Sequence, residues 1–201
     1  MTGDDGASSR SGVVLRRGRS PRSKSPRLLV VAAELSGCQY DLPVPPRAEH
    51  LVMYGQPAPG SPLDWSWVDE QLAAAATFWV AAHGGDHPHP RPVWGVWCDE
   101  VLHLSIGSVV VSKLLDHHRN VTVHLDSGVD VVIVEGAVVG FSGEAGVISA
   151  YNDKYTWDYT IAEYGLLTSI FPRTVLAWRS AGWAGRDGFQ QAGRWRFSAR
   201  S

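Results

Sequence analysis

Gly107, Ser108, Ser112 and Lys113 form the one stretch of this chain whose residue types and spacing fit a recognisable chemistry. A glycine followed by serine opens a helical segment. The free N–H groups and partial positive charge of a helix start favour a phosphate. Ser108 and Ser112 add hydroxyl donors, and Lys113, on the next turn, adds a cation. This is not a nucleotide-binding P-loop, because the GxxxxGK[ST] spacing is missing. An ordinary capped helix with a solvated lysine has the same residues, so the motif defines a seat for an anion without naming one.

Other clusters are weaker. His83, Asp86, His87 and His89 share a loop, but their spacing matches no common metal pattern. Asp116, His117 and His118 stand at the expected end of the same helix, where imidazoles interact well with the terminal carbonyls. There is no GxSxG motif, no serine–histidine–aspartate set and no cysteine placed as a nucleophile. An enzyme built on this chain would therefore leave the chemistry to a cofactor. The nine tryptophans suit a planar heterocycle, a core or a subunit interface equally well. Trp94 and Trp97 are an odd number of residues apart and face opposite sides of a strand.

The elements that must position these residues read mainly as strands. A helix is expected from Ser66, with Asp69 completing a capping box, and Val68 and Leu72 at helical spacing. Strands are expected at Thr77 to Ala82, Arg91 to Cys98, Val101 to Ile106, Val121 to Leu125, Asp130 to Phe141 and Arg173 to Arg179, with GRWRF at Gly193 to Phe197 closing the domain. Asp99-Glu100 makes a tight hairpin, and Ser108 to His118 is a helix capped by Ser108. Pro90 and Pro92 confine the start of their strand to an edge or bulge. Glu135 faces outward from an apolar strand, and Gly143 to Tyr164 reads as irregular or helical. Short hairpins with one crossover helix predict a mainly β fold: a closed Greek-key barrel of about six antiparallel strands with a few short helices.

Composition sets the outer bounds. The chain has 201 residues, 44% of them apolar, and a formal net charge of −2. That suits one domain at residues 61–201 preceded by a tail at residues 1–60. The tail is basic and proline-rich, reads as disordered, and holds Arg10, Arg16, Arg17, Arg19, Arg22, Lys24 and Arg27 against Asp4 and Asp5 before Leu28. The remainder is acidic, so no nucleic-acid partner is expected. The only methionines are Met1 and Met53, and a natural start near Met53 is one reading of the head. Two cysteines, Cys38 and Cys98, make no disulfide framework, and no apolar run is long enough for a membrane span. A cytoplasmic protein with no membrane partner is expected.

Taken in order, Pro88-His89-x-Arg91-Pro92-Val93-Trp94, the hairpin, Gly107 to Lys113, Arg119-Asn120-Val121-Thr122-Val123-His124-Leu125 and Val134-Glu135-Gly136 resemble the split β-barrel flavin and deazaflavin oxidoreductases. These are relatives of pyridoxamine 5'-phosphate oxidase. Arg194-Trp195-Arg196-Phe197 resembles the ending of many actinobacterial members, and the resemblance covers Pro62 to Phe197. It implies a homodimer with FMN or the deazaflavin F420 between subunits, and hydride transfer to a small-molecule substrate. Arg91, Pro92, Val93 and Trp94 would run along the ring. Gly107, Ser108, Ser112 and Lys113 would approach the phosphate, and Arg194 and Trp195 would close the site. Members often place arginine between the glycine and the lysine, where Val109, Val110 and Val111 stand here. One lysine neutralises the near-dianionic phosphate of FMN poorly but suits the singly charged phosphodiester of F420. Pro90 stands where members commonly donate a strand N–H. A non-catalytic flavin, F420 or haem carrier and a pyridoxamine-phosphate oxidase remain alternatives. The oxidase is disfavoured, since a phosphorylated substrate needs a second cationic cluster.

Overall fold

The computed structural model describes residues 46–53, 55–58, 60–84, 86–180 and 191–198. The first helix, α1, spans Trp65–Ala74 and buries Val68 and Leu72, four residues apart on one face. Its start differs from the capping box expected at Ser66. Asp64 is the N-cap, with no side-chain cap bond. The Asp69 carboxylate instead accepts the indole N–H of Trp97 at 2.7 Å.

Six strands form the barrel: β4 (Phe78–Ala82), β5 (His89–Cys98), β6 (Val101–Ser105), β7 (Asn120–His124), β8 (Asp130–Ser142) and β9 (Leu167–Arg179). They neighbour one another in the order β9-β6-β5-β4-β7-β8, and β8 pairs back onto β9, so the sheet closes. Every pairing is antiparallel. Alternation places one side chain in two inside. Phe78, Val80 and Ala82 of β4 meet Leu102, Leu104, Val123, Val132, Val134, Ile170 and Val175 in the core. Closure of β8 onto β9 pairs strands that would otherwise stand at the sheet's edge.

β9 begins at Leu167, six residues before the strand start expected at Arg173. Pro172 hides the first half from a propensity reading. The register shifts between Glu135 and Gly136, which pair with Thr174 and Pro172, and that irregularity absorbs the proline. Glu135 is exposed, as the alternation required. The stretch from Gly143 to Tyr164, read as irregular or helical, holds α3 (Ala145–Tyr155) and α4 (Ile161–Tyr164).

Outside the barrel, β10 (Gly193–Arg196) pairs with β9, and β1 (Ala48–His50) pairs with β10. A small ribbon joins β2 (Val52–Met53) to β3 (Gln56–Pro57). β1 therefore lies before both Met53 and the boundary expected at residue 60. The basic part of the expected tail lies outside the described residues.

Candidate functional site

The site begins at the β5–β6 hairpin. Asp99 and Glu100 both adopt left-handed φ, 49° and 61°, and connect the strands in two residues. This sets the register: Trp94 stands opposite Ser105, and Cys98 opposite Val101. β6 leaves the sheet after Ser105. From His89 to Val93, β5 is therefore paired to β4 on one side and to no described strand on the other. Pro90 and Pro92 sit in that half-open stretch, where a missing ladder donor costs least.

After Ser105 the chain runs through Ile106 and Gly107 straight into α2 (Val109–His117). Ser108 is the N-cap, its Oγ accepting the Val111 N–H at 3.4 Å. The N–H groups of Val109 and Val110 in the first turn have no partner within the helix. The valine run divides its work. Val111 is fully buried and anchors the helix, whereas Val109 is 67% exposed and Val110 50%. Lys113 is exposed one turn on. The β5–β6 register sets Ser105 opposite Trp94, and Gly107 and Ser108 follow within three residues of that pair.

The other expected site residues fall as follows. Arg91 is exposed, its guanidinium on the Pro90 carbonyl at 2.7 Å, and Pro92 is exposed opposite Trp79. Val93 points into the core. Trp94 is outward, stacked on Tyr155 with centroids 5.0 Å apart and planes 12° off parallel. Trp97, on the opposite parity, packs against the core. A Cβ on Gly107 would meet nothing within 4 Å, so room for a ligand exists there. Ser112 lines a hollow with Asp116 and Arg119. Arg194 is bound to Glu49 at 2.7 Å, and that pairing holds the Glu49 carboxyl below its usual range. Trp195 is 1% exposed and fills the core against Trp65. The sheet order sets β10 beyond β9, two strands from β6.

Two residues of α3 that drew no attention in the sequence hold β5 in place. The Tyr155 hydroxyl accepts the Gly95 N–H at 2.9 Å and has the Gly95 and Ala76 carbonyls at 2.9 and 3.1 Å to donate to. Lys154 donates to the Gly95 carbonyl at 3.1 Å, with its Nζ 5.1 Å from the Phe78 ring centroid. Burial pulls its amine down to about 8. Gly95 has to lack a side chain, since a Cβ would stand 2.7 Å from the His103 carbonyl oxygen. The only signal in the sequence was the aromatic density of the run from Tyr151 to Tyr159.

Among the described residues no three metal-ligating side chains gather. The histidines meet as rings instead: His83 and His118 edge-on at 5.9 Å, His87 and His89 at 4.6 Å. No helix among the described residues is long and apolar enough to cross a membrane.

No family model and no curated protein matches the chain. Solved structures do resemble it. One is an F420 reductase, 17% identical over 53% of this chain and 94% of its own, with a TM-score of 0.44. Another is the FAD-binding protein from Mycobacterium smegmatis, at 16% identity, 68% and 99% coverage and a TM-score of 0.42. A third, from Clostridium acetobutylicum, is related to general stress protein 26 and described as of the pyridoxinephosphate oxidase family. It shows 8% identity, 67% and 97% coverage and a TM-score of 0.46.

Proposed function

We propose that this chain binds a flavin or deazaflavin cofactor in the opening between β5 and α2, and acts as an oxidoreductase on a small organic substrate. The observation that carries the reading is the juxtaposition itself. β5 is half-open from His89 to Val93 with the outward Trp94 next along it, and opposite Trp94 the chain leaves β6 at Ser105 to start α2 four residues on, where first-turn N–H groups are unspent. The residue set fits such a group. Ser108, the first turn of α2 and Lys113 would hold a phosphate. Arg91 to Trp94 and the exposed Val109 and Val110 would line the ring.

Charge favours the deazaflavin. A phosphomonoester carries about −1.5 to −2 at pH 7, a phosphodiester about −1. Lys113 is the one cation that α2 offers near its start, which supports F420 over FMN. The cofactor, when bound, supplies hydride transfer to or from the substrate. The protein's share is orientation: β5 sets the ring plane, α2 sets the phosphate, and no side chain need act as a nucleophile. The outward apolar side chains support a homodimer that covers this face, and the two sequence cysteines support a reducing cytoplasm.

The purified protein is expected to take up F420 or FMN, read as the violet-edge band of the one or the yellow flavin spectrum of the other. Lys113→Ala is expected to weaken that uptake by about 1.5–3 kcal/mol, the worth of a charged hydrogen bond. Protein that binds neither cofactor on titration would overturn the reading. Binding without substrate turnover would reduce the protein to a carrier.

A further inference from the structure

Six aromatic rings close into a circuit outside the barrel core. Trp94 of β5 stacks on Tyr155 of α3, and Tyr155 meets Tyr151 at 4.9 Å. Tyr151 meets Tyr159 at 4.8 Å, and Tyr159 meets Tyr164 of α4 at 5.1 Å. Trp157 completes the circuit, 6.3 Å from Tyr164 and 5.8 Å from Trp94, its plane at 75° to that of Trp94. Tyr151 and Tyr159 are buried, whereas Trp94, Trp157 and Tyr164 are each 45% exposed. Three large rings left half in water on one connected face mark a surface that something else can cover.

The chain holds the exposed rings in place. Thr156 caps α3 in the left-handed region, φ 50°, and the Trp157 N–H donates to the Asn152 carbonyl at 3.1 Å. The Asn152 side chain accepts the Tyr159 N–H at 2.7 Å and donates to the Tyr159 carbonyl at 3.3 Å. The Tyr159 hydroxyl donates to the Gly165 carbonyl at 3.1 Å, just past Tyr164. A platform tied at both ends has little freedom left to lose when a ligand lands on it.

The surrounding charge is negative. From Gly143 to Gly165 the chain carries Glu144, Asp153, Asp158 and Glu163 against one cation, Lys154. The Lys154 amine is turned inward onto the Gly95 carbonyl. Hydrogen bonding to the Glu163 carboxylate holds the Tyr164 phenol above its usual range, and the Asp158 charge adds to the effect. Both carboxylates therefore stand close to an exposed ring.

We infer that this aromatic face binds a small organic cation of the quaternary ammonium class. A ring face attracts positive charge through its quadrupole. The methyl groups of such a cation cover apolar ring surface, and it carries no N–H donor that would need an acceptor the rings lack. The carboxylates favour the cation and disfavour anions. The face shares Trp94 with the proposed cofactor opening but needs no cofactor to form.

Calorimetric titration of the full chain with choline, and with its uncharged isostere 3,3-dimethylbutan-1-ol, tests the site. Choline is expected to bind at millimolar concentration or below, and the isostere at least tenfold more weakly. Trp157 is exposed, so circular dichroism should find Trp157→Ala folded, with choline binding at least tenfold weaker. Trp157→Phe should recover part of that loss. Asp158→Asn combined with Glu163→Gln should weaken binding by a smaller factor, and high salt should shrink the difference. Lys113→Ala, which disturbs the proposed cofactor seat, should leave choline binding unchanged, so the two readings fail separately. No binding of choline, equal binding of the isostere, or unchanged binding in Trp157→Ala would each overturn the inference. So would a wild-type dimer that binds no choline and that Trp157→Ala splits into monomers on sedimentation, since a second copy would then cover the rings.

Discussion

α2 and α3 use their polar atoms in opposite ways. α3 spends them inside the molecule. Tyr155 and Lys154 both reach across sixty or so residues of sequence to one glycine of β5; the Tyr155 ring stacks on Trp94 and the Lys154 amine sits over the Phe78 ring. α2 keeps its polar atoms at the surface. Its first-turn N–H groups, Lys113, Asp116 and the following Arg119 are all turned outward, while Val111 and Leu115 do the packing. A helix whose polar groups are satisfied by the chain itself is a structural brace. One whose polar groups are left over is where a ligand can gain from binding. β5 meets the brace at Gly95, while α2 packs on the neighbouring strand β4.

The comparison breaks most easily on the α3 side. Tyr155→Ala removes a stacked ring and the hydroxyl that holds Gly95, and is expected to cost about 3 kcal/mol in chemical denaturation. Tyr155→Phe, which keeps the ring, should recover part of that loss. A stability change below about 0.5 kcal/mol in both variants would refute the bracing role.

Lys154 gives the next effect, visible in its pH dependence. Its folded-state amine titrates at about 8, below the ordinary 10.5, because burial disfavours the charged form. Between those values the unfolded chain holds more protons than the folded one, so stability rises with pH across that window. Below it, the charged amine carries its full desolvation cost. Lys154→Met is expected to flatten the rise and to add about 1–2 kcal/mol at pH 7, after allowance for partial solvent contact. Thermal melts from pH 7 to 10.5 would check both points.

The α2 side should be far quieter in stability. Ser108→Ala is expected to cost about 0.5 kcal/mol, the low end for an N-cap, because the cap bond is long at 3.4 Å. Lys113→Ala should change stability by less than about 0.5 kcal/mol, while cofactor uptake falls. A large loss of stability with unchanged uptake would place α2 with α3 among the braces and erase the contrast.

Much of the barrel could be read in advance, for reasons that individual elements make plain. Asn120 to His124 alternates cleanly, with Val121 and Val123 on the core, and Phe78 to Ala82 is a short apolar run whose outer residues are half-buried. The two-residue turn at Asp99-Glu100 was legible although neither residue is glycine, because the alternation on both sides left only two residues between strands. α2 announced itself through Ser108 and its buried valine and leucine. Elements whose local signal contradicts their place were not legible. Pro172 masks the first half of β9, and the proline-rich stretch before Gly60 conceals β1. Trp195 is a core residue at 1% exposure, and its burial was not legible because an aromatic in a short strand carries no local mark of which way it faces.

The sequence by itself determined the period of each strand, the helix cap and the run of donors at α2, since these depend on neighbours within a few residues. Only the tertiary structure decided which of those groups are used up. The Gly95–Tyr155 contact spans 60 residues, and the Arg119, Phe141 and Thr168 side chains meet only because β8 closes onto β9. A donor's value depends on whether an acceptor from elsewhere in the chain has already reached it. That is a property of the closed barrel, and no local pattern records it.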